Sequence, residues 1–241
     1  MLKGVDAPPF LMHMLERELI EYLENFVSAR RVKLFDKVLS DRTKYITVVL
    51  EDIFQPHNAS AVLRTCDCLG IQEVNIIENR NEYNVNPDVA LGSDKWLTLV
   101  KYRGKGNNTY EAYKNLRSRG YRIVATSLHE RKAVSLDKFD LGKGPAALVF
   151  GTEMHGLSKQ AIEWADEYLK IPMYGFTESY NISVSAAIII YELLAKLRKS
   201  GLSWHLKEED KTALKLNWLR NTIKKPELLE KKFMLMKNSR K

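Results

Sequence analysis

Tyr45-Ile46-Thr47-Val48-Val49-Leu50 and Glu73-Val74-Asn75-Ile76-Ile77 bracket the stretch from His57 to Gly70. The two outer segments are short and rich in β-branched residues, so each reads as a buried strand. The middle reads as a helix that starts at His57-Asn58, with Asn58 or Ser60 as its cap. It stops at Gly70, where a glycine commonly ends a helix. Strand, helix and strand at this spacing are the repeating unit of a parallel sheet.

The alternation continues toward the C-terminus. The sequence predicts a helix over 109–119, a strand Arg122–Thr126, a Gly/Lys-rich link at 142–144 and a strand Ala146–Phe150. A helix over 158–166, a strand Tyr168–Ile171 and a long helix over roughly 180–199 follow. The fold class is therefore α/β, a parallel sheet with helices on both faces. Toward the N-terminus, Leu11, Leu15, Leu19, Leu23 and Phe26 recur every three or four positions among glutamates, which predicts a helix over 10–39. Beyond Gly201 the pattern is amphipathic and basic, two short helices broken before Pro226. The expected organisation is a helical extension over 1–43, a main domain over 44–200 and a basic helical extension over 201–241.

From Ile182 to Leu194 little polar face remains. A helix apolar nearly all round must be buried on several sides. Either this domain supplies all of them, or a second subunit covers one.

The net charge of +8 is unevenly placed. From Lys196 to Lys241 there are 14 Lys/Arg and 5 Asp/Glu, a net +9, whereas the preceding 195 residues net −1. Such a tail is either a solvated helical face or a surface for a polyanion. Cys66 and Cys68 are too close for a structural disulfide and lack the second ligand pair of a zinc site. No apolar run is long enough to span a bilayer, and the start has no signal-peptide core, so a cytoplasmic location is expected.

In open α/β sheets ligands bind beyond the carboxyl ends of the strands. Phe150-Gly151 and Ile171-Pro172 both lie where a strand gives way to a loop, and glycine there permits close backbone approach. Asn58 and Arg64, six residues apart, fall on neighbouring faces of their helix. Neither a Gly-x-Gly-x-x-Gly fingerprint nor a Gly-Lys-Ser/Thr phosphate loop is present, which argues against a dinucleotide site or a nucleotide hydrolase. The residues by themselves support an α/β enzyme with a polar pocket.

Three separated segments extend this reading: His57–Thr65, Val149–Leu157 and Ile171–Val184. In that order they resemble the three signature motifs of the SpoU-type RNA 2′-O-ribose methyltransferases of the SPOUT superfamily. The resemblance is strongest to the tRNA guanosine-2′-O-methyltransferases of the TrmH type, and it covers about residues 44–198. It implies a deep trefoil knot within about 146–200 that holds S-adenosylmethionine, with no metal. By matching positions it implies catalytic roles for Asn58, Arg64, Glu153, Ser179 and Asn181. Cofactor contacts, mostly through backbone groups, are implied at Thr126, Gly151, Ile171 and Tyr180. It further implies a homodimer with sites completed near the interface, and tRNA as substrate, at the guanosine in position 18 of the D-loop.

The sequence departs from the family in two places. Tyr180 stands where leucine is usual, and Leu194-Ala195-Lys196-Leu197-Arg198-Lys199 carries its positive charge in a different register. Lys196, Arg198 and Lys199 are the expected RNA contacts there, beside Arg64. Each residue also has a plain structural alternative. Asn58, Ser179 or Asn181 can cap a helix, Arg64 can be a surface arginine, and Glu153 a loop acid. Their joint occurrence in order is what favours chemistry. Ribosomal RNA, another tRNA position, or a catalytically inactive RNA-binding member of the fold are the alternatives that stay open.

Overall fold

The computed structural model describes residues 9–83, 86–127, 130–152 and 155–239. It divides into two compact units, one of residues 43–205 and one that joins the two ends of the chain, up to Arg42 and from Leu206.

The larger unit is built on seven strands: β1 (Ile46–Glu51), β2 (Glu73–Ile77), β3 (Thr98–Tyr102), β4 (Arg122–Thr126), β5 (Val134–Ser135), β6 (Ala146–Phe150) and β7 (Glu167–Lys170). Their order is β3-β2-β1-β6-β4-β7-β5, and every pairing is parallel. Val48 of β1 lies beside Val74 of β2 and Leu148 of β6, and all three are fully buried. Side chains alternate between two cores along these strands. Val48, Leu50, Leu148 and Phe150 join a core with α3 (Pro56–Leu69) and α7 (Ile182–Lys199). Val49, Ala147 and Val149 join the other, with α5 (Asn108–Ser118) and α6 (Lys159–Glu163). A short α4 (Pro87–Ala90) precedes β3.

The predicted strands and helices of this unit are present, β2, β4 and β6 with the predicted ends and the others with ends shifted by up to three residues, while β3 and β5 have no counterpart in the sequence reading. Both are outer strands, β5 only two residues long and β3 half-buried, so neither carries the continuous apolar signature of β1 or β6. The expected cap at Asn58 or Ser60 is corrected. α3 starts at Pro56, with Gln55 as N-cap and no side-chain cap bond. Proline at the first helical position needs no N–H partner and has its φ preset, so the helix starts earlier than a capping residue suggests. Gly70 does end the helix, at φ +92°.

The smaller unit holds α1 (Pro9–Glu24), α2 (Ala29–Asp41), α8 (Glu208–Thr222) and α9 (Pro226–Asn238). The single helix expected over 10–39 is two helices. Asn25 donates to the carbonyls of Glu21 and Tyr22, and Ser28 caps α2 by accepting from the Arg31 N–H. The break before Pro226 is where the sequence put it. Leu23, Phe35, Leu216, Trp218 and Leu219 fill the core of this unit. Lys215 reaches Glu24 and Asp36, each at 2.6 Å, and Lys237 pairs with Glu18.

Candidate active site

A cavity of about 350 Å³ opens beyond the carboxyl ends of β4, β6 and β7. Each strand exit contributes to it: Thr126 and Ser127 at β4, Phe150 and Gly151 at β6, Lys170 and Ile171 at β7. Leu157, Leu169, Ile182 and Ile189 make an apolar wall, and Met173, Ser179 and Tyr180 come from the loop that leads into α7. The four positions expected to hold cofactor, Thr126, Gly151, Ile171 and Tyr180, all line this one cavity. Ser127, Met173 and Ser185 line it too and carry no mark in the sequence reading. Ser127 is legible in principle, because it directly follows a strand end.

The hairpin after β6 is tight. Thr152 N–H donates to Gly156 O at 2.8 Å, and Gly156 N–H returns to Thr152 O at 3.0 Å. Gly156 sits at φ +65°, in the left-handed region. A Cβ on Gly151 would lie 2.2 Å from the backbone carbon of Gly156, so only glycine lets the hairpin fold back on its own strand. Glu153 lies outside the described residues. Tyr113 is buried beneath α6, where its hydroxyl donates to Ala161 O at 3.2 Å; that burial raises its phenol far above the ordinary range, with the Glu51 carboxylate adding to the shift.

Two helix starts meet beside the cavity. Asn181 caps α7, its Oδ1 accepting from the Ser183 N–H at 2.8 Å and the Ser183 hydroxyl at 2.6 Å. Its Nδ2 is thereby free to donate to Asn58 Oδ1 at 3.2 Å. Asn58, buried in the first turn of α3, passes its own Nδ2 to Gln55 Oε1 at 3.1 Å. Motifs 123 residues apart are therefore joined by one amide pair. Neither Asn58 nor Arg64 lines the cavity. Arg64 is exposed on α3 and makes no hydrogen bond or ion pair with any described residue.

The three basic residues of α7 are not equivalent. Lys196 Nζ donates to the carbonyls of Leu136 and Asp137 at 2.9 and 2.8 Å and faces Glu192 at 3.4 Å. Arg198 donates to Leu69 O, at the end of α3, at 2.7 Å. Lys199 is exposed, with no partner among the described residues. Among the described residues no group of three or more His, Cys, Asp or Glu side chains is arranged to hold a metal ion.

With that geometry in view, residues 45–191 match the SpoU rRNA methylase family. The chain belongs to that family. It is 46% identical over 211 residues to the tRNA (guanosine(18)-2′-O)-methyltransferase of Borreliella burgdorferi, covering 88% of this chain and 94% of that protein. It is 37% identical to the enzyme of the same name from Thermus thermophilus, over 72% of this chain and 86% of the relative. In three dimensions it is similar to the TrmH/SpoU tRNA-modifying enzyme of Aquifex aeolicus, with a TM-score of 0.71 and 32% identity, over 81% of this chain and 98% of that one. The SpoU match covers β1 through most of α7, which is the sheet, the cavity and the Asn58–Asn181 pair together.

Proposed function

We propose that this protein transfers a methyl group from S-adenosylmethionine to the ribose 2′-hydroxyl of guanosine 18 in tRNA. The observation that carries the reading is the cavity at the strand ends, flanked by the Asn58–Asn181 pair and lined by all four positions that family resemblance marks for cofactor. Family membership, and relatives named for this reaction, support the substrate.

The cavity suits the cofactor. Its volume lies within the range of small-molecule sites, roughly 300–1,000 Å³. The apolar wall of Leu157, Leu169, Ile182 and Ile189 fits the adenosyl group and the aliphatic part of the methionine chain. Strand-end backbone at Thr126, Gly151 and Ile171 supplies hydrogen-bonding groups for the polar ends. When bound, S-adenosylmethionine supplies an already activated methyl group on a sulfonium, so the protein's task is the acceptor. A ribose hydroxyl is a poor nucleophile until its proton leaves. Arginine holds its own proton in proteins, so Arg64 serves as a charged grip on the phosphate beside the target ribose. The phosphate or a water then takes the proton. Asn58 and Asn181 fix the two helix starts and orient the ribose, and Ser179 orders the loop over the cavity. Orientation of this kind contributes a large share of the rate.

Three wider features belong to the reading. Residues of about 146–200 are tied in a deep trefoil knot, which is consistent with β6 and β7 flanking β4 while α7 returns to pack on α3. Two copies pair through the outer stripe of α7, where Val184, Ile188 and Tyr191 follow helical spacing and leave apolar surface open. Acting on tRNA, the enzyme works in the cytoplasm. The test is incubation with labelled S-adenosylmethionine and unfractionated RNA. Label is expected in the tRNA fraction. Label confined to ribosomal RNA, or none at all, contradicts the reading.

A further inference from the structure

Glu51 is a carboxylate at the last position of β1, 2% exposed, and the mechanism above does not use it. A buried carboxylate persists only when its oxygens are well satisfied. Here they are. Ser158 gives it two hydrogen bonds, N–H to Oε2 at 2.9 Å and Oγ to Oε1 at 2.8 Å. Thr109, in the first turn of α5, adds a third to Oε1 at 2.6 Å. The far side is braced in turn, since Asn79 beyond β2 donates to Thr109 Oγ1 at 2.9 Å and accepts from the Asn108 N–H at 3.0 Å.

Ser158 is the residue through which this anchor reaches the site. It directly follows Leu157, and it caps α6 by accepting from the Ala161 N–H. The hairpin between β6 and Ser158 supplies Gly151, Thr152, His155, Gly156 and Leu157 to the cavity wall. Its upstream end is fixed by the β6 ladder. Its downstream end is fixed by Glu51.

We infer that Glu51 is a positioning residue for cofactor binding: its buried carboxylate, gripping Ser158, holds Gly156 and Leu157 against Gly151 and Thr152 in the arrangement that walls the S-adenosylmethionine cavity. This rests on the proposed function, but cofactor affinity can be read without turnover. Glu51→Gln keeps the volume. A carboxamide presents one acceptor in place of two, so it cannot take the Ser158 N–H and both hydroxyls. Ser158→Ala removes the hydroxyl from the loop side and leaves the buried strand end untouched. Ser158→Thr keeps the hydroxyl. Thr109→Val removes the support from α5 and leaves both bonds from Ser158.

The experiment is calorimetric titration of S-adenosylmethionine into the full chain and these four variants, with steady-state rates on tRNA alongside. Glu51→Gln and Ser158→Ala should each weaken cofactor binding and raise its KM by about five- to twentyfold, with kcat at saturating cofactor within about threefold. Ser158→Thr and Thr109→Val should stay within about twofold in both. Unchanged cofactor affinity in Glu51→Gln and Ser158→Ala, or a loss confined to kcat, overturns the inference. If instead the unmodified protein binds no S-adenosylmethionine, the functional reading fails and this inference falls with it.

Discussion

In the proposed reaction the chemistry turns on Arg64, and its surroundings define its test. It is exposed, lies outside the cavity wall and has no partner among the described residues, so its removal leaves no buried group unsatisfied. Arg64→Ala should therefore spare folding and cofactor binding while lowering single-turnover methylation at least a hundredfold. Calorimetry beside a rapid-quench assay checks this, and near-normal turnover would refute the role. At this scale the sequence is legible wherever a residue's task follows from its own chemistry. Gly151 reads as a place of close backbone approach, and the hairpin that folds back on it requires glycine there. Asn58 reads as a cap and is instead an interior helix residue, because Pro56 starts α3 earlier. Its link to Asn181 is not legible from the residues, since it depends on two helix starts converging from 123 positions apart.

Among the elements, the start of α7 combines two functions that one substitution can separate. Asn181 caps the helix through Oδ1 and reaches Asn58 through Nδ2. Asn181→Ala loses both and should cost about 1 kcal/mol, within the 0.5–2 range of lost N-caps. Asn181→Asp keeps the capping oxygen and turns the donor into an acceptor that faces Asn58 Oδ1. It should retain denaturant stability within about 0.5 kcal/mol of the unmodified protein and still lose most methyl transfer. An Asn181→Asp variant with full activity would reduce the amide pair to a cap. Central strands such as β1 and β6 are readable because burial on both faces imposes continuous apolar sequence. The outer strands β3 and β5 carry no such demand. The break between α1 and α2 is hidden because the apolar spacing continues up to Phe26, which is in fact exposed.

At the scale of the whole molecule, Val184 and Tyr191 are exposed on α7, Tyr191 at 64%, with Ile188 half-buried between them. If two copies pair there, Tyr191→Lys, at the most exposed position of the stripe, should convert the dimer to monomer in sedimentation at micromolar concentration and lower activity in parallel. A fully active monomer would remove the dimer and any shared site. The basic C-terminal segment can be tested without deleting helices. Lys215 and Lys237 are engaged with Glu24, Asp36 and Glu18 inside their own unit, so they contribute little free charge. Lys224, Lys225, Lys231 and Lys232 have no partner among the described residues. Changing these four to glutamine should weaken tRNA binding and flatten its salt dependence, by about 0.7–0.9 in slope for each phosphate no longer neutralised. An unchanged slope would make the segment a solvated face. Sequence displays the charge but not its pairing, because the chain ends that form this unit are separated by the whole larger one.

The most direct measurement is the position and chemistry of the methyl group. Transcribed tRNA would be incubated with the protein and S-adenosylmethionine, digested with nuclease and analysed by mass spectrometry. The expected product is 2′-O-methylguanosine at position 18, at close to one methyl per tRNA. No incorporation is expected when that nucleotide carries 2′-deoxyribose. A methyl on the base, on the ribose of another nucleotide, or on the deoxy substrate would contradict the proposed reaction.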